Sequence, residues 1–157
     1  MGKDNPKHIP LVGLDADYVG RSPWDFYSWG HMALGIALFL LLSLLITIPE
    51  FLEGQGIIPW WSIIIIVLFL LLFWEFFENI VLWALGWKFE DRQDSFWNFL
   101  WDMIFGMATA SVMWLFQWII MEILEAPGRW FYVAGAISFG VVMLAYFIGY
   151  SWYKFQN

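Results

Sequence analysis

Four uncharged runs constrain this chain more than any other feature: residues 32–49, 57–74, 103–121 and 130–153 contain no Asp, Glu, Lys or Arg. A hydrocarbon core is crossed by about 20 residues of helix. Inside it every backbone N–H and C=O must be satisfied within the protein, which favours helices. Each run therefore predicts one transmembrane helix. Only 13% of residues are charged and 62% are hydrophobic, whereas soluble domains carry about 25% charged residues. The expected fold is all-α: a polytopic membrane protein, one domain, a bundle of four transmembrane helices.

Local signals set the boundaries. A polar N-terminal arm, residues 1–21, is expected to be loose and to carry no removable leader pattern. The single four-helix domain then covers 22–157, with helices at about 23–49, 58–86, 95–125 and 129–153. Ser22 suits a cap, Pro23 the first helical position, and Asp25 the positive end of the helix dipole. Pro59 predicts a second start, Gly86 a C-terminal cap, Asp94 or Ser95 the third start, and Ala126-Pro127-Gly128 a turn.

Lys and Arg favour the cytoplasmic side of a membrane. With four spans, Lys3, Lys7, Arg21, Lys88, Arg92 and Lys154 share one side, and Arg129 stands on the other. This predicts a cell (inner) membrane protein with both termini in the cytoplasm. Tryptophans cluster toward both ends of the spans, as interfacial belts do. The chain has no cysteine, which excludes disulfides, thiolate metal sites and thiol catalysis. Its net charge is -7 and its basic residues are scattered, so nucleic acid is not an expected partner.

The polar residues inside the spans fall into register. Glu75, Glu78 and Asn79 are i, i+3 and i+4 neighbours on one helix face. Asp91, Asp94, Asn98 and Asp102 form a stripe leading into the third helix, and Ser28 and His31 form another on the first. At about 1.5 Å per residue, His31, Glu78 and Asp102 each lie roughly 12–13 Å from a cytoplasmic helix end. They can meet at one level, in the inner half of the membrane or at its cytoplasmic boundary. An acid at mid-membrane costs about 2.5–3.5 kcal/mol, and no buried Lys or Arg is expected among these acids to offset it. Either a cation sits among the acids, or some carboxylates are protonated and hydrogen-bonded. Oxygen ligands suit Mg, Mn or Ca, and His31 adds Zn or iron to the range.

The stretches "GHMALG" (30–35), "WEFFEN" (74–79) and "DSFWNFLWDMIFG" (94–106) resemble a group of small bacterial membrane proteins. These carry a first-helix His, a Trp-Glu-x-x-Glu-Asn motif and an Asp-Ser-x-x-Asn-x-x-x-Asp motif ahead of a Gly. The group looks distantly related to the VanZ-like family, whose Arg-Asp-Asn-Gly pattern can be compared with Arg92, Asp94, Asn98 and Gly106 at a different spacing. The resemblance spans residues 28–106 and implies that the polar set is a shared site. It supplies no reaction. VanZ-like proteins are associated with glycopeptide antibiotic tolerance, which points loosely to envelope lipids.

Each residue also has a plainer reading. Glu75, Glu78, Asn79 and Asp102 could be an interhelical network that only fixes packing, but ionisable groups within spans mark functional sites by default. Asn98 and His31 divide evenly between packing and ligation; Asp94 reads first as an N-cap, Asp91 as solvated, and Gly35 and Gly106 as helix contacts. The candidate catalytic residues are His31, Glu78 and Asp102. The candidate metal ligands are Glu75, Glu78, Asp102, His31 and Asn98, with Asn79 and Asp94 in the surrounding polar network. One function consistent with this is a divalent-cation-dependent enzyme acting on a lipid-linked substrate among the membrane lipids. The alternatives are a proton- or cation-coupled transport subunit and a non-catalytic membrane subunit, each working as an oligomer or beside a partner subunit.

Overall fold

The computed structural model of the protein describes residues 8–54, 58–88 and 91–156. Residues 1–7 of the expected arm, with Lys3 and Lys7, lie outside the described residues. Four long helices make the fold: α1 (Phe26–Glu53), α2 (Ser62–Phe76), α3 (Phe96–Trp118) and α4 (Arg129–Gln156). Two of them continue into a widened, π-helical turn, α2 through Phe77–Leu82 and α3 through Ile119–Ile123. Four apolar stretches are long enough to cross a membrane: Phe26–Leu52, Ser62–Leu82, Phe96–Ile123 and Arg129–Phe155. Among the described residues there is no strand beyond an isolated bridge between Val12 and Trp24.

The start of α1 differs from the expectation. Asp25, not Ser22, is the N-cap: its backbone is extended and its carboxylate accepts from the Tyr27 N–H at 2.8 Å and the Gly20 N–H at 2.7 Å. Ser28 completes a capping box by accepting from the Asp25 N–H. Pro23 therefore lies before the helix rather than in its first turn. The segment ahead of it is tied down rather than loose. Backbone bonds join Gly13 to Trp24 and Trp24 to Leu11, and Val19 is buried against Phe26 and Tyr153. At the other end α1 runs past Pro49 to Glu53. Proline removes its own donor and crowds the carbonyl four residues back, but only the last turn follows it here, and Gly54, at φ 75°, supplies the left-handed cap. The second helix begins at Ser62, after a Pro59–Ser62 turn, and Ser95 rather than Asp94 caps α3 by accepting from the Asn98 N–H.

α1 is the hub of the bundle, with α3 packed most closely on it and α4 and α2 beside it. Glycines make the α1–α3 approach possible. A Cβ on Gly35 would run into the Gly106 carbonyl and come within 2.6 Å of Thr109 Oγ1. The Thr109 hydroxyl donates to the Met32 carbonyl of α1 at 2.9 Å, tying the crossing. Beyond it, toward the far side, Phe39, Ile63, Val67, Leu71, Ala110, Met113 and Phe131 form a fully packed apolar layer. The outer faces expose large apolar residues such as Leu41, Phe69, Val112, Ile137 and Leu144, as expected where the solvent is lipid.

Candidate functional site

The polar residues of three helices converge below that apolar layer. One turn into α1, Ser28 and His31 share a buried face. From α2 comes Glu75, 1% exposed, and the widened turn after it carries Glu78 and Asn79. From α3 come Asn98 and Asp102, each 1% exposed. His31 is the centre: its Nδ1 lies 3.1 Å from Glu75 Oε1, and its Nε2 lies 3.7 Å from Asp102 Oδ2 and 3.8 Å from Glu78 Oε2. The Ser28 hydroxyl donates to the other Asp102 oxygen at 3.0 Å.

His31, Glu75 and Asp102 each present a ligand atom, all within 4.8 Å of one another, and all three side chains are buried. One imidazole nitrogen and two carboxylate oxygens suit a divalent cation such as Mn, Zn or Mg. Glu75 Oε1 sharpens the fit. It lies within ion-pair distance of His31 Nδ1, yet this buried oxygen has no hydrogen-bond partner. Buried carboxylate oxygens rarely stay so, and an added cation would satisfy it.

The other sequence candidates take different places. Glu78 stands at the edge of the cluster, between His31 and Lys88 Nζ, the latter at 3.6 Å. Asn98 does not face the cluster. Its amide donates to the Ser22 carbonyl at 2.8 Å and to Asp25 Oδ2 at 3.3 Å, so it braces the start of α1. Asn79 is a bridge: its amide donates to the Glu75 carbonyl at 3.1 Å, and its own oxygen accepts from Lys88 Nζ at 2.9 Å and the Asp94 N–H at 2.8 Å. Asp94 is an ion-pair partner of Lys88 rather than a cap. Asp91 is exposed, as expected of a solvated loop acid.

Lys88 is the residue that sequence reasoning missed. No lysine or arginine lies in α1, α2 or α3, yet this loop lysine folds back with its side chain 5% exposed, paired with Asp94 and Glu78. The signal available was Gly86, whose φ of 68° reverses the chain just before it. Asp25 was also read too simply. Burial lifts its carboxyl from 3.8 to about 6, against the pull of the Gly20 and Tyr27 N–H groups and with a further push from Asp94. Asp94 is raised too, by burial, although Lys88 opposes the shift.

Beside the cluster a cleft of about 430 Å³ opens between α2 and α4, floored by α1. His31, Glu78 and Lys88 line one end; Leu34, Ala37, Phe139 and Met143 line the other. The arrangement is thus a four-span membrane protein with a buried His/Glu/Asp cluster bordering a mostly apolar cleft with one polar end. Compared with protein-family models, with curated proteins and with solved structures, the chain matches none.

Proposed function

We propose that this protein is a cation-dependent membrane enzyme whose centre, on the cytoplasmic side, is formed by His31, Glu75 and Asp102 and which acts on a lipid-linked substrate. The observation that carries this reading is the convergence of three buried ligand atoms within 4.8 Å, one of them a carboxylate oxygen with no hydrogen-bond partner. A bound divalent cation would polarise an ester or phosphate oxygen, or supply a nucleophilic water. Glu78, at the margin between His31 and the cleft, is placed to move a proton to or from that water or substrate. Lys88 and Asn79 hold Glu78, Asp94 and the end of α2 in place. The VanZ-like resemblance of the motifs agrees with an envelope lipid as substrate.

A transport subunit is the second reading, supported by the acids themselves. Against it, Phe39, Leu71, Ala110 and Met113 close the bundle between the cluster and the far side. Elemental analysis of the purified protein tests the proposal. One divalent ion per chain is expected, lost in both Glu75→Gln and Asp102→Asn. Metal-free wild-type protein whose thermal stability is the same in both variants and indifferent to added Mn or Zn would overturn it. Ion flux in proteoliposomes abolished by Glu75→Gln would establish transport instead.

A further inference from the structure

The cleft has features that the metal cluster does not use. Its floor is Gly30, Ala33 and Ala37 of α1, three small residues at steps of three and four, leaving a shallow trough roughly 10 Å long. One wall is Trp74 and Leu82 on the α2 side; the other is Phe139 and Met143 of α4. All of these lie within the membrane-spanning stretches, so the cleft borders the bilayer. Its polarity runs one way along α1. His31, Glu78 and Lys88 stand at the cytoplasmic end, while the inner end is wholly apolar. The residues packed beside it on α4 are apolar or aromatic, and the 430 Å³ volume falls within the range of about 300–1,000 Å³ typical of small-molecule sites. A trough of this kind matches an amphiphile held with its head at the polar end and one hydrocarbon chain along the floor.

We infer that this cleft is a chain-binding subsite: one acyl chain of a bilayer glycerophospholipid slips in sideways between α2 and α4 and lies along Gly30, Ala33 and Ala37. Its head then meets His31, Glu78 and Lys88. This deepens the proposed function and rests on its reading of the cluster as a site for lipid-linked substrates. It adds the route, from the bilayer rather than from water, and the residues that measure the chain. Small side chains on the floor set the depth. Filling them should therefore exclude the chain without touching the cluster. Ala37 is six residues beyond His31, nearly two turns away.

The test is photolabelling in vesicles of phosphatidylethanolamine and phosphatidylglycerol, with a phosphatidylglycerol that carries a diazirine in its acyl chain. Labelled peptides are mapped by mass spectrometry, and bound metal is measured on the same samples. Labels on Leu34, Phe139 and Met143 should exceed those on the outward-facing Val141 and Leu144 at least about fivefold. They should drop to the level of those controls in Ala37→Phe and, from the opposite wall, in Met143→Trp, with metal content unchanged. Labelling spread evenly over cleft and outer face, or undiminished in both variants, would overturn the inference even if the cluster holds its metal. Cleft labelling in a protein that holds no metal would uphold the subsite and sink the metal reading instead.

Discussion

Single side chains decide what this cluster can do, and two of them show how. Ser28 donates to one oxygen of Asp102 while the other oxygen faces His31. It therefore orients a candidate ligand without being one. Removing such an orienting bond typically weakens metal binding about 10–100-fold, so Ser28→Ala should raise the dissociation constant for Mn or Zn by that factor, measured by titration calorimetry, while the fold persists. Asp25 carries a different consequence. Its carboxyl is raised to about 6 in the folded protein from 3.8. Between those values the folded state holds a proton that the unfolded chain has released, so the contribution of Asp25 is complete below about pH 4 and is lost as pH rises through 6. Asp94, shifted in the same direction, adds to the slope. The melting temperature in detergent should fall across this window, and Asp25→Asn, which keeps a capping oxygen, should flatten the decline; an unchanged slope would refute the assignment. At this scale the sequence was only partly legible. His31, Glu78 and Asp102 could be set at one depth by counting turns, with Glu75 one turn further in. Asn98, one turn from Asp102 on the same stripe, meets Asp25 instead, because a step of about 6 Å along a helix is enough to change neighbours.

Among the elements, the α1–α3 crossing holds the site together, since it sets His31 against Asp102. It depends on Gly35 lying against the Gly106 carbonyl, with no room for a Cβ. Overpacking of this kind typically costs about 1–3 kcal/mol. Gly35→Val should lower stability to SDS-induced unfolding by at least that range, because backbone rather than a flexible side chain must move. Gly140 has no atom within 4 Å of an added Cβ, so Gly140→Ala should leave the unfolding midpoint where it is. A similar loss in both would show that glycine content, not this contact, matters. The helices themselves were readable from apolar runs, but their ends were not. Ser22-Pro23 looked a better start than Asp25, because the pull of the Gly20 N–H on that carboxylate depends on a turn formed by residues 18–22. Lys88 was missed for a related reason. Periodicity describes side chains on a helix, whereas this one reaches the cluster from beyond the helix end.

For the molecule as a whole, four spans follow from composition alone, and the side on which the site lies is an expectation drawn from seven charges. The Lys/Arg bias predicts that the ends of α1 and α4 that carry Phe26 and Phe155 face the cytoplasm. The native chain has no cysteine, so single replacements report cleanly. Leu52→Cys, exposed at the far end of α1, should react with an impermeant maleimide in intact cells, and Phe155→Cys should react only after lysis. The reverse pattern would put the cluster in the outer leaflet. The widened turn at Phe77–Leu82 has a consequence in the language of the gene. Each such turn holds one more residue than a regular helix requires, so loss of a single codon there closes the turn and shortens the span by only about 1.5 Å. The span would survive such a deletion and Lys88 beyond it would keep its facing, but Glu78 and Asn79, which stand in the widened turn, would be re-aimed. A three-nucleotide deletion there would thus alter the site while sparing the membrane scaffold.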